Sequence, residues 1–312
     1  MKPRAALFAL LLLSGFGLRP QDTAALKRPG LTVAAGLGSA YGPAMIGLNQ
    51  YWYKGFERSA FHFFDDRDEW LQMDKAGHFF SAFQLGSKGS ALYRRAGLPP
   101  KKAALASFLS ANLMMAGIEV LDGFSAAWGA SLYDLAFNLG GSGLAYGQAL
   151  LWKEERITVK ISYRREKFPL ELQPRVEALY GRSLPERILK DYNGLIIWAG
   201  FNIHDFLPAD SRFPAWLNIS AGYGASGLLG ARANRWCSSS GISPEDCDPA
   251  DLIIRDDIPR LRQFYLSPDI DFRKIPHRKK WQGTLLGILN IIKFPAPALE
   301  LNSDGKVFLR IR

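Results

Sequence analysis

Asp74 and His78 stand four residues apart with Lys75 beside them, a spacing that puts the carboxylate and the imidazole on one face of a helix. Glu119 and Asp122 are three apart, and Ser131, Asp134 and Asn138 follow at i, i+3 and i+7. All lie in stretches otherwise made of Ala, Leu, Phe and Gly, where an ionisable group is costly unless it finds a partner. Carboxylates gathered around one imidazole have the lone pairs to hold a metal, or the paired groups to act as acid and base. That makes Asp74, His78, Glu119, Asp122 and Asp134 the candidate catalytic residues. The same residue types also do structural work. Asp before Gly and Ser before a helix are ordinary turn and cap choices. A Lys75–Glu119 or His78–Asp134 pair would fix helix register, and Lys75, Ser131 and Asn138 fit such a network. Structural pairing is the commoner outcome of such a cluster. His62 with Asp65 and Asp66 forms a smaller candidate in an aromatic loop, where a histidine is usually solvated. His204 with Asp205, and His277, are smaller still.

No nucleophile elbow, P-loop, dinucleotide fingerprint, zinc-protease helix or haem motif occurs, so the sequence names neither a cofactor nor a reaction. The groups must be positioned by the elements around them. Uncharged runs at 29–53, 103–118 and 135–152 carry charges only at their ends. They predict about four helices, at 38–56, 73–96, 101–121 and 131–153, either buried in a core or embedded in a membrane. Turn chemistry separates them at Gly97-Leu98-Pro99-Pro100 and Asp122-Gly123. Ala104, Ala106, Gly117, Gly141, Gly143 and Gly147 would let helices approach closely.

From residue 156 the period changes to two: Ile157, Val159 and Ile161 alternate with Thr158, Lys160 and Ser162. Further strands are expected at 195–203, 217–223, 262–272 and 307–311, with short helices near 185–190 and 284–292. Five or six strands are too few for the usual smallest membrane barrel, so a sheet is favoured. The expected fold is α+β: a leader at 1–25, a helical domain at 31–153 and a mixed, β-rich domain at 156–312.

Composition sets the compartment. The chain of 312 residues is 48% hydrophobic, with a net charge of +10, and its mean hydropathy of −0.06 argues against a transporter built only of apolar spans. Lys2 and Arg4 precede the apolar run 5–13 and the small residues Ser14, Gly15 and Gly17, which is the layout of a secretory signal peptide. Cys237 and Cys247 flank a Ser/Gly/Pro loop and predict a disulfide, in keeping with export. The basic run Arg273, Lys274, Arg278, Lys279 and Lys280 is read as a solvated face or a contact for anionic lipid. No nucleic-acid recognition fold surrounds it.

Longer strings carry a resemblance. Leu48-Asn49-Gln50-Tyr51-Trp52-Tyr53, Phe61-His62-Phe63-Phe64-Asp65-Asp66 and the run from Glu69 to His78 resemble the DUF2279 family, predicted periplasmic lipoproteins that include the YfiM-like proteins. The likeness continues through Gly117 to Ser125, Trp128 to Ser131, and Asp134 to Asn138 and Gly140. Asp191-Tyr192-Asn193-Gly194, Gly222-Tyr223-Gly224-Ala225 and the run Leu266 to Asp271 resemble extended members from Bacteroidetes-type bacteria. The resemblance implies an envelope location and no activity, and the chain departs from it in having no Cys near the leader's end. The order Asp74-Lys75, His78, Glu119, Ser131, Asp134, Asn138 is also distantly similar to VanZ-like membrane proteins. The expected function is a structural or assembly role at the envelope, at the outer membrane. Membrane lipid or other envelope proteins are the expected partners, and nucleic acid is not. The rival is a lipid- or cell-wall-directed enzyme using the Asp/His/Glu cluster. Oligomeric state is left open.

Overall fold

The computed structural model describes residues 28–50, 57–208, 210–239 and 242–312. The expected leader and the end of the first expected helix lie outside them. Among the described residues, four long helices come first: α1 (Pro29–Leu48), α2 (Met73–Arg95), α3 (Pro100–Gly123) and α4 (Leu132–Leu151). The first begins well before the expected residue 38, because Pro29 fits the first turn of a helix, where its missing N–H is not needed. Pro100 opens α3 in the same way, and Ser131 caps α4 by accepting from the Asp134 amide at 3.1 Å. Helix α2 packs between α3 and α4. Of the glycines expected to allow close approach, Gly141 does so decisively. A Cβ there would sit 2.1 Å from the Phe79 carbonyl oxygen of α2, whereas Gly143 and Gly147 face open space.

The remainder is β1 (Ile157–Tyr163), α5 (Gln173–Tyr180), α6 (Leu184–Lys190), β2 (Leu195–Asn202), β3 (Leu217–Ser226), β4 (Arg235–Cys237), β5 (Leu252–Ile254), β6 (Leu261–Ile270), α7 (Lys280–Leu289), β7 (Pro297–Asn302) and β8 (Val307–Ile311). The protein is thus α+β, as expected, with α5, β4, β5 and β7 beyond the sequence expectation. Six strands form one antiparallel sheet in the order β1-β2-β3-β6-β7-β8, and β4 pairs with β5. The Cys237–Cys247 disulfide is formed at the end of β4.

The sheet curls. Lys160 on β1 reaches Asp269 on β6 at 2.8 Å, although two strands lie between them in the sheet. Arg164, just past β1, donates to the Ile311 carbonyl of β8 at 3.2 Å. Residues 291–293 cover the free edge of β1 through the Ile161 amide to Ile291 oxygen and the Lys293 amide to Ile161 oxygen.

Register defines its two faces. Ala199, Ala221, Leu266, Leu299 and Leu309 form one cross-strand row, and Ile197, Tyr223, Phe264, Leu301 and Val307 the next. The β1–β2 end of this apolar face packs on α2 through Val159, Ile197, Phe80 and Phe83. Beyond β3 it is open: Phe264, Leu266, Leu299, Leu301 and Leu309 are 45–79% exposed. The opposite face holds Lys160, Asn202, Asn218, Ser220, Gln263, Ser267, Asp269 and Glu300, all buried. That face also buries Ile196, Trp198, Tyr265 and Ala298, so the inside of the curl is mixed, while the apolar outer face beyond β3 departs from the usual polar exterior of a sheet in water.

Candidate functional site

The approach to α2 sets the site. Trp70, Leu71 and Gln72 carry φ values of 51°, 48° and 58°, three consecutive non-glycine residues in the left-handed region. Each costs about 1–2 kcal/mol, so the turn must be held by its surroundings. The Trp70 amide donates to the Ala231 oxygen at 2.7 Å. The Leu71 oxygen accepts from Arg262 at 3.2 Å and from the Tyr223 hydroxyl. The β-rich half therefore clamps the turn that aims the first residues of α2 into the bundle.

Asp74, Lys75 and His78 from α2, Glu119 from α3 and Asp134 and Asn138 from α4 converge there, each less than a tenth exposed. Lys75 Nζ lies 2.9 Å from Asp134 and 3.5 Å from Asp74, and contacts Asp66 directly. His78 sits between two carboxylates, Nδ1 at 3.7 Å from Glu119 Oε1 and Nε2 at 3.7 Å from Asp134 Oδ2. Asn138 Oδ1 lies 3.1 Å from Nδ1 and accepts from it when that nitrogen carries the hydrogen. Tyr192 donates to Asp74 at 2.8 Å, the Ser131 hydroxyl donates to Asp66 at 2.5 Å, and the Ser131 amide donates to Glu119 at 3.0 Å.

Of the two pairs expected from sequence, His78–Asp134 is present at long range and Lys75–Glu119 is not. Lys75 turns instead to Asp66 and Asp134, because those carboxylates lie on its side of α2. Asp122 is buried at the end of α3, where it accepts from the Trp128 indole and its backbone oxygen caps the turn to Ser125. Asp66 joins the cluster but its neighbour His62 does not. That ring is half-buried and engages Ser59 and Ala60 locally. His277 is exposed, and Asp205 pairs with Lys274 at 2.7 Å. Sequence reasoning missed Tyr192, whose only signal was the string Asp191-Tyr192-Asn193-Gly194.

Among the described residues, Asp66, Asp74 and Asp134 contact Lys75, and Glu119 and Asp134 flank His78. Burial works against the Lys75 ammonium, yet Asp74 and Asp134 outweigh it and leave its pKa above the ordinary lysine value. Glu119 is pushed up to about 7: burial raises it most, His78 opposes, and Asp134 and Asp122 raise it further. Glu119 Oε1 and Asn138 Nδ2 are buried without a hydrogen-bond partner among the described residues. Asp74, His78 and Asp134 each present a ligand atom within 4.8 Å of the others. The arrangement can hold a cation, or share protons between Glu119 and its neighbours.

Most of the site falls inside one recognisable segment. Residues 62–150 match the DUF2279 family, described as a predicted periplasmic lipoprotein. No curated protein and no solved structure matches the chain. The DUF2279 segment runs from His62 through α4 and contains every acidic member of the cluster, while Tyr192 lies outside it.

Proposed function

We propose that this is an exported envelope protein that seats its apolar faces in membrane lipid, at the outer membrane, and serves a structural or assembly role there. The description of DUF2279 as a predicted periplasmic lipoprotein supports the exported location. The observation that carries the membrane contact is the sheet, with leucines and Phe264 exposed on one face and Lys160, Asp269 and Glu300 buried on the other. Apolar-out and polar-in is the arrangement of a sheet whose outer solvent is hydrocarbon. Helix α3 carries a further apolar stripe, Leu105, Leu109 and Leu113, which are 44–76% exposed at i, i+4 and i+8. It is also the one described helix long and apolar enough to cross a membrane, and only 33% of its apolar window is buried. Between α2, α4 and the sheet runs a groove of about 360 Å³, lined by Ala76, Phe79, Phe137, Val159, Ile197 and Ala221. Its walls are almost wholly apolar and suit an acyl chain.

Flotation of the purified full chain with phosphatidylethanolamine/phosphatidylglycerol vesicles tests this reading. The protein should float with the vesicles and stay bound in 1 M salt, because apolar contact is not screened. Release into the soluble fraction by salt alone would reduce the contact to surface electrostatics and overturn the proposal.

A further inference from the structure

We propose that α7 and the basic loop before it dock the protein on anionic lipid, with Arg278, Lys279 and Lys280 meeting head-group phosphates and Trp281, Leu285 and Ile288 entering the acyl boundary. This rests on the lipid contact proposed above, and names the element and the head-group charge that the contact uses.

The basic run divides in the folded chain. Arg273 is taken up by Asp271 at 2.6 Å and by Glu155, and Lys274 by Asp205 at 2.7 Å. Arg278, Lys279 and Lys280 are exposed and, among the described residues, in no ion pair. No acidic residue occurs between Asp271 and Glu300 to supply one locally. The loop that carries them is nonetheless fixed. Gln282 Oε1 accepts from the Arg278 amide at 3.2 Å and from the Lys279 amide at 2.8 Å. The His277 ring lies against the first turn of α7, where a Cβ at Gly283 would sit 2.5 Å from its Nε2. Three cations are thus held as a group at one end of the helix.

The helix also turns an apolar side outward. Trp281, Leu285 and Ile288 stand at i, i+4 and i+7 and are 60%, 45% and 40% exposed. Ile292, 48% exposed, continues the spacing just past the helix end. Gln282, Gly283, Leu286 and Gly287 lie on the half-buried side. A surface helix in water shows the reverse, with its polar residues outermost. Along the axis the order is cations, then Trp281, then aliphatics, with Ile288 about 12 Å beyond Lys280. Basic residues for phosphates, an indole for the interface and aliphatics for acyl chains make up a helix that lies in a lipid surface. An anionic leaflet complements both the charge and the stripe, whereas an acidic polymer in solution would use only the charge.

The test compares co-sedimentation of the purified full chain with phosphatidylcholine vesicles and with vesicles carrying about 30% phosphatidylglycerol, in about 0.1 M salt. The phosphatidylglycerol vesicles should bind about 100-fold more tightly, because each cation near an anionic surface strengthens binding about fivefold. Arg278→Gln with Lys279→Gln and Lys280→Gln should remove that preference, keep the parent's affinity for phosphatidylcholine and leave the unfolding temperature unchanged. Brominated acyl chains should quench the parent's tryptophan fluorescence more than that of Trp281→Phe protein. Equal binding of the parent to both vesicles would overturn this proposal and leave the apolar contact standing. So would a preference retained in the folded triple variant. Binding to neither vesicle would fail the lipid reading itself and this proposal with it. Dimerisation of the parent in solution, lost in Leu285→Ser with Ile288→Ser, would give the face to a second copy and overturn the proposal too.

Discussion

The protein buries two polar clusters, one in the helical bundle and one inside the curled sheet, and they differ in how their charges are met. In the sheet three ion pairs are closed, while the buried Lys293 donates to the Pro268 carbonyl at 3.1 Å. Lys160 lies 2.8 Å from Asp269, Arg273 lies 2.6 Å from Asp271 and also holds Glu155, and Arg310 lies 2.8 Å from Glu300. Remaining oxygens are also filled: Ser220 donates to Asp269 at 2.9 Å and Gln263 to Glu300 at 3.0 Å. Burial presses the Asp271 carboxyl upward, yet the Arg273 guanidinium holds it below the ordinary carboxylate range. In the bundle Glu119 is instead pushed up to about 7, chiefly by burial. A buried group that can exchange a proton near neutral pH beside His78 and Asp134 makes the bundle, and not the sheet, the candidate site.

The largest expected effect breaks the comparison directly. Asp134→Ala leaves Lys75 and His78 short of a buried partner and should destabilise by about 3–5 kcal/mol in urea unfolding. Lys160→Met with Asp269→Leu removes both members of the sheet pair and should cost less than about 1 kcal/mol, since an apolar replacement of a whole pair is often neutral. Equal losses would erase the distinction.

Glu119 sharpens it with pH. Its folded pKa of about 7 lies above the ordinary glutamate value of 4.5, so the native state binds the extra proton between those limits. Stability should therefore fall as pH rises from about 4.5 to 7, and the penalty should be complete above it. Glu119→Gln should be neutral near pH 4 and stabilising by about 3 kcal/mol at pH 8, read as unfolding temperature at each pH.

A smaller effect belongs to the loop beyond the sheet. Replacing Cys237 and Cys247 by Ser opens a ten-residue separation and should cost about 2–3 kcal/mol by denaturant titration. The smallest effect on stability tests the outer face. Leu299→Lys with Leu309→Lys, at positions 50% and 79% exposed, should shift stability in water by no more than about 0.5 kcal/mol. Vesicle flotation should nonetheless be lost. A large loss of stability would show that this face is covered within the folded chain.

Much of the local structure was legible. The spacing of Asp74 with His78, and of Ser131 with Asp134 and Asn138, correctly placed each set on one helical face, because helix periodicity is a local property of the backbone. Strand periodicity at β1, β2, β3, β6 and β8 was legible for the same reason. Strand β7 was not, because Pro295 and Pro297 read as helix stops and masked the alternating residues that follow. The left-handed run at Trp70, Leu71 and Gln72 carries no glycine to announce it, and is held by Ala231, Tyr223 and Arg262, residues more than a hundred positions away.

By itself, then, the sequence determined which residues share a helix face, where the period changes from helix to strand, and which two cysteines can pair. Those follow from short-range geometry and from composition. Only the tertiary structure decided that Lys75 meets Asp66 instead of Glu119, that Tyr192 joins the site from outside the DUF2279 segment, and that the sheet turns its polar face inward. Alternation fixes two faces without saying which is buried. That choice depends on where Lys160 finds Asp269 across the curled sheet, a contact between residues 109 positions apart that no local pattern encodes.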